Sequence, residues 1–443
     1  MDTNALQHRS HPWTWKTWTS LGGLLIFMVV LLPFGLFISP IWDIPPVDDS
    51  MMWVTPDPIP DEQNARFILE QASTFLLLPE DTWVEEMLKN PQSYRQEIEG
   101  WVRYNQEFYD RWDQAVVTRP YQGPWDIESN EDLTPLMKQT NDMGNALLFR
   151  ASLLPSQAER VSAYIDLLHT FITFGEAEYT LYNRWRWAFT FTKIINQIRQ
   201  DFDSQAPTAK VLTTFKATLP SRYPLTNHQK KWMIIHAYQQ NISILNQANT
   251  NEDIYSLFYD TPHLNSWKQR QFFYQPQRTR ALQLEMSLHE LHQYDPDQFP
   301  SSYRDTETIY FEEHFSSDKF WGLFSAFNEM GKDFLQNFQV TDAVHYSERT
   351  QKSNEGFLAQ LHIQAALHLY RMDHGQFPTS LSELVPAYLD HIPLDPYGKG
   401  EMKYLPQAGI IYSVGRDEHD DNGEPGEDNC IFIRNWLPPL GTR

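Results

Sequence analysis

With 443 residues the chain has length for two or three domains, each with a core of its own. Its 41% apolar and 21% charged residues describe a globular protein, not a disordered one. A net charge of −22 without clustered Lys and Arg excludes a nucleic-acid surface, and one cysteine, Cys430, excludes an internal disulfide and any multi-cysteine metal site.

In chain order, the first element is apolar. Leu21 to Ile38 carries no charge across eighteen residues, the short end of what crosses a bilayer core (roughly 17–25 residues). Trp13, Trp15 and Trp18 precede it and Trp42 follows, the places where amphipathic rings meet headgroups. Arg9 and Lys16 lie before the run, and neither Lys nor Arg occurs from Thr17 to Ala65. The positive-inside rule therefore predicts a cytoplasmic stretch 1–20, a transmembrane helix over 21–39 embedded in the lipid bilayer, and an extracytoplasmic bulk. The competing reading, a cleaved signal peptide, wants small residues after the apolar run, and the sequence there is Phe37-Ile38-Ser39-Pro40-Ile41-Trp42-Asp43.

Residues 40–61 follow as a Pro-rich acidic linker, with Pro45, Pro46, Pro56, Pro58 and Pro60 among aspartates; such a stretch is expected to act as a semi-rigid spacer. The region 62–340 reads as an α-helical domain. Helices are expected over Glu62–Leu77, Ser93–Gln114, Leu133–Leu153, the stretch between Pro155 and Pro207 interrupted by Gly175, His228–Gln247 and Thr279–Tyr294. Nothing in it suggests successive strands. The aromatic content of 14% suits packed helical cores, with a sugar- or peptide-binding surface as the sharper alternative.

The pattern changes over 341–434. Asn354–His374 has one apolar face (Leu358, Leu361, Ala365, Leu369, Met372), and Gly375 suits its C-terminal cap. Ser380-Leu381-Ser382-Glu383 has capping-box spacing and predicts a second, short helix. Short strands are expected at Met402–Leu405, Ile410–Val414 and Cys430–Arg434, followed by a tail over 435–443. The fold class predicted is thus mainly α, with a small C-terminal α+β head built on a short antiparallel sheet.

Between the last two strands, Asp417 to Asn429 holds seven carboxylates in thirteen residues. A hard cation taking six to eight oxygens would relieve their repulsion, and Gly415, Gly423 and Gly426 supply backbone freedom for a wrapping loop. The loop is not an EF-hand: position 1 would be Glu418, position 12 Asn429, and strands flank it. The plain alternative is a solvated acidic turn.

The stretch Phe357 to Ile433 resembles the C-terminal head of the major pseudopilin of type II secretion systems. The matching runs are ALHLYRMDHGQFPTSLSELVP (366–386), IPLDPYGKG (392–400), IIYSVGRDE (410–418) and EDNCIF (427–432), in the family's order. The resemblance implies calcium held between the last strands. By position Asp417 matches the first ligand aspartate and Asp428 with Asn429 the closing acidic pair, while a backbone carbonyl near Val414 completes the shell. Asp420 and Asp421 are extra acids, of which Asp421 is taken as a ligand. The departures are equally specific. The apolar run lacks the family's glutamate near its start, and roughly 300 residues separate it from the head. Assembly into a pseudopilus by the usual route is not expected. The whole chain also resembles bacterial membrane-anchored proteins that pair a helical middle with such a head. The implied location is the bacterial inner membrane with the bulk in the periplasm. The implied role is an envelope interaction or structural protein, accessory to secretion or envelope assembly.

The alternative is an extracytoplasmic metal-dependent hydrolase. His289-Glu290-Leu291-His292 spaces its histidines i, i+3 in place of the i, i+4 of zinc hydrolases, with Glu285 or His314 as a third ligand. Trp185-Arg186-Trp187 fits glycan stacking or an inward-packed helix equally well. No phosphate loop, nucleophile elbow or other catalytic constellation stands out.

Overall fold

A computed structural model describes residues 43–118, 120–123, 125, 134–250, 275–299, 334–335, 340–424 and 429–432. The expected membrane span lies outside these residues; among them, no helix is long and apolar enough to cross a membrane.

The described chain is mainly helical, with a small antiparallel sheet. Its helices are α1 (Ala65–Ser73), α2 (Asp81–Lys89), α3 (Arg95–Tyr104), α4 (Gln106–Thr118), α5 (Thr134–Ser152), α6 (Gln157–Glu176), α7 (Leu181–Ser204), α8 (Ala209–Thr218), α9 (Asn227–Thr250), α10 (Pro276–Tyr294) and α11 (Val340–His374). Three strands follow, β1 (Lys403–Leu405), β2 (Ile410–Ser413) and β3 (Asn429–Phe432), in the order β1-β2-β3. Both pairings are antiparallel, with Tyr404 opposite Ile411 and Ile411 opposite Ile431.

Helix boundaries follow from local chemistry. The Ser156 hydroxyl accepts the Glu159 amide at 3.2 Å while Glu159 Oε2 accepts the Ser156 amide at 3.0 Å, a reciprocal cap that starts α6. Thr208 starts α8 by accepting from the Val211 amide. The single helix expected over Ser93–Gln114 is two, because Asn105 turns inward. Its buried side chain accepts the Leu77 amide and donates to the Leu77 carbonyl, both at 2.8 Å. The predicted break at Gly175 falls just after it: α6 runs to Glu176, and α7 begins at Leu181. Gly175 has a packing role, since a Cβ there would stand 3.0 Å from the Tyr223 hydroxyl.

The chain divides into two compact units. One takes the described parts of 1–49, 241–289 and 302–339. In it the Asp43 carboxylate accepts the amides of Gln277 and Arg278 at 2.8 and 2.9 Å, satisfying orphan donors at the start of α10. Asp49 holds Arg280 through two bonds of 2.6 and 2.7 Å. Leu282, Met286 and Leu335 cluster nearby.

The other unit takes 50–240, 290–301 and 340–443. Its large core is aromatic: Trp187 lies 5.3 Å from Phe171 and 5.4 Å from Phe174, and edge-on to Tyr121. Helix α11 serves two cores. Leu358, Leu361 and Ala365 enter the large helical core. Ala359, Ile363, Ala366 and Leu367 enter a smaller one with Leu381, Leu384, Leu389, Met402 and Ile411. Residues 52–59 of the segment expected as a spacer are strapped to this unit by amide side chains. Gln122 accepts the Ile59 amide at 2.8 Å and donates to the Asp57 carbonyl, and Gln239 donates to the carbonyls of Met52 and Val54.

Candidate functional site

The acidic turn grows out of the edge of the small core. Asp395, in the Leu394-Asp395-Pro396-Tyr397-Gly398 segment, is buried and sets the end of β2. Its Oδ1 accepts the Ser413 hydroxyl at 2.6 Å and the Tyr397 amide at 3.0 Å, and its Oδ2 accepts the Val414 amide at 2.9 Å. Three donors on one carboxylate satisfy its buried charge. Gly398 permits this approach, since a Cβ would stand 3.2 Å from Asp395 Oδ2.

Beyond Val414 the backbone turns repeatedly through the left-handed region, at Gly415 (φ 75°), Glu418 (59°), Asn422 (58°) and Gly423 (77°). Asp417 Oδ1 accepts the His419 amide at 3.1 Å, and Asp421 Oδ1 lies 3.1 Å from His419 Nδ1. One residue thus engages two of the expected ligands, Asp417 through its backbone and Asp421 through its ring. Asp420 is committed elsewhere: Lys403 Nζ sits 2.9 Å from Oδ2, and the Tyr412 hydroxyl and Asn422 amide donate to Oδ1. The Lys403 hydrogen bond, first of these causes, holds the Asp420 carboxyl below its ordinary range.

The closing half of the expected site, Asp428 and the side chain of Asn429, lies outside the described residues. Among those described, no three metal-ligating side chains gather. The visible half supplies two carboxylates and a turn of left-handed residues. That donor chemistry suits part of a hard-cation shell and needs the closing pair to complete it.

The turn at the end of α11 is held by side-chain contacts. Gly375 has φ 78°. Tyr388 donates to Asp373 at 2.6 Å, and the Arg371 guanidinium lies 4.9 Å over the Phe377 ring. The expected short helix is a 3-10 turn, Leu381–Leu384, and its capping box is present. Glu383 accepts from the Thr379 hydroxyl, the Tyr370 hydroxyl and the amides of Thr379 and Ser380; these bonds, the Thr379 hydroxyl first, bring its carboxyl down to about 2.

Of the histidine group, His289 and His292 both lie on α10, and His314 is outside the described residues. His292 Nδ1 lies 2.6 Å from the Phe299 carbonyl, which occupies one of its ring nitrogens.

In the Trp185-Arg186-Trp187 run, Trp187 and Arg186 turn inward. Glu178, fully buried, accepts from the Tyr121 hydroxyl at 2.6 Å and Trp187 Nε1 at 2.8 Å, with Arg186 Nη2 at 3.3 Å. Burial, and then the Glu178 charge, push the Tyr121 hydroxyl well above its ordinary range. This network ties Tyr121 to Glu178, Arg186 and Trp187, more than fifty residues on, and no spacing announced it. Nor did any announce the groove of about 720 Å³ whose lining includes Lys216, Arg222, His362 and Leu394.

Compared with models of protein families, with curated proteins and with solved structures, the chain finds no match.

Proposed function

We propose that this chain is a membrane-anchored extracytoplasmic interaction protein, and that its C-terminal α+β head is ordered by calcium as in the type II secretion pseudopilins it resembles. One observation carries the reading. The acidic turn leaves a strand end fixed by buried Asp395 and brings Asp417 and Asp421 to the same histidine. A divalent cation bound there would offset the repulsion among the crowded carboxylates. The span 21–39 supplies the anchor, and the helical region supplies the surface for an envelope or secretion-system partner.

Calcium acts here by linkage. An ion that binds the folded head alone stabilises it by about 2.7 kcal/mol at a hundredfold excess over its Kd. The test is thermal unfolding of the intact chain in detergent, with EDTA and with millimolar calcium. The melting temperature is expected to rise with calcium, and Asp417→Ala together with Asp421→Ala is expected to remove the difference. Melting that ignores both EDTA and calcium would overturn the metal assignment.

A further inference from the structure

A second small cleft opens where α7 passes α11, and it bears no relation to the acidic turn except that Arg416, on its rim, precedes Asp417. It measures about 150 Å³, below the ~300–1,000 Å³ of sites that take drug-sized molecules, so a single ring fills it. Its chemistry is mixed. Trp185 and Tyr346 meet edge to face, with ring centroids 6.0 Å apart and planes at 89°, and Tyr346 is 48% exposed. Arg349 and Arg416 line the same cleft, both exposed, and no carboxylate among the described residues lies within ion-pair distance of either. In a chain of net charge −22, two cations beside one opening with no anion among the described residues mark a place where negative charge is expected from outside.

A further observation comes from the cleft's lining. Asn354 is 2% exposed. Its Oδ1 accepts the Thr192 hydroxyl at 3.3 Å, while its Nδ2, equally buried, has no hydrogen-bond partner among the described residues. Buried amide donors are almost always paired, so a donor left over in a cleft wall calls for an acceptor on a ligand. Thr350 and Ser353 add hydroxyls to the same wall. Aromatic rings offer apolar faces to the C–H side of a pyranose, hydroxyls and an amide read its hydroxyl groups, and arginines read an anion.

We propose that the cleft lined by Trp185, Tyr346, Arg349, Asn354 and Arg416 binds an acidic sugar unit, a pyranose carrying a carboxylate or a phosphate. A bare inorganic anion would make no use of the aromatic walls, and a neutral sugar would make no use of the arginines. The site does not depend on the anchor.

The test is ligand-observed saturation-transfer NMR on the intact chain in detergent, with D-glucuronate, D-glucose 1-phosphate and D-glucose as probes. Saturation is expected on the ring protons of one or both acidic probes, which also identifies the anion the site prefers. Glucose is expected to bind at least about tenfold more weakly, and Arg349→Gln and Arg416→Gln each to weaken the acidic probe about tenfold. Trp185→Leu is expected to abolish transfer to the ring protons. If that variant misfolds, the two arginine variants, both at exposed positions, still decide. No transfer to either acid, transfer indifferent to both arginine changes, or glucose binding as well as the acids would each overturn the assignment.

Discussion

The helical core around Trp187 and the head core around Ile411 share one helix, yet they bury their polar groups differently. The helical core encloses whole ion pairs: Arg186 with Glu178, and Arg160 with Asp201, whose side chains are all less than a tenth exposed. The head, among its described residues, encloses one carboxylate, Asp395, bonded to two backbone amides and a hydroxyl. A buried ion pair adds little net stability over apolar packing but costs heavily when one partner is removed. A carboxylate bonded to backbone instead fixes where the chain goes next, here the entrance to the acidic turn. The first device pins the consecutive helices α6 and α7 and the turn between them, and the second aims a loop.

That contrast can be broken at several strengths. The largest loss is expected from Glu178→Ala, which leaves Arg186 buried without its anion; breaking such pairs costs about 3–5 kcal/mol, read as a lowered urea midpoint. An unchanged midpoint would mean the network does not anchor the core.

Next come the two faces of α11. Leu361 and Ile363 are both fully buried, the first in the helical core and the second in the head. Truncating either to Ala is expected to cost about 2–5 kcal/mol. Because the helix is shared, each is expected to lower one common transition. A separate early transition in Ile363→Ala, with the helical core untouched, would show that the two cores fold independently.

A smaller effect comes from acid. Burial, and next the Arg371 charge, bring His368 from an ordinary 6.5 down to about 3. His362, on the same helix, is lowered chiefly by burial. A histidine kept neutral by the fold contributes stability that is complete above pH 6.5 and is lost as pH falls toward the folded value, at up to about 1.4 kcal/mol per pH unit per group. Glu383, brought down to about 2 from an ordinary 4.5, begins to matter only below that value. The histidines contribute to the slope between pH 6.5 and 5, and His368→Leu is expected to flatten it. An unaltered slope would remove His368 from the account.

Much of this architecture was legible from local pattern. The capping box at Ser380 and the glycine cap at Gly375 are contiguous signals, and both are present. Helix α11 was legible only from Asn354, because its first turns are polar and carry no apolar stripe, although Val344 and Ser347 are buried there and the Tyr397 hydroxyl bonds the Arg349 carbonyl. Helices α2 and α8 are nine and ten residues long and were passed over, since so few turns give little periodicity to read. The pairing of Asn105 with Leu77, the strap made by Gln122 and Gln239, and the bond from Tyr121 to Glu178 are contacts between distant residues, which spacing cannot encode. Asp417 and Asp421 were legible as acids. That His419 would engage both was not, and neither was the commitment of Asp420 to Lys403.

Native-state hydrogen exchange on the intact chain, followed across increasing urea, tests the shared helix most directly. The amides of β2 and those of α6 are expected to lose protection at a common urea concentration, with α11 opening alongside them. Were β2 to exchange at markedly lower urea while α6 and residues 358–369 of α11 stayed protected, the head would be an independent appendage, and the account of one helix serving two cores would fail.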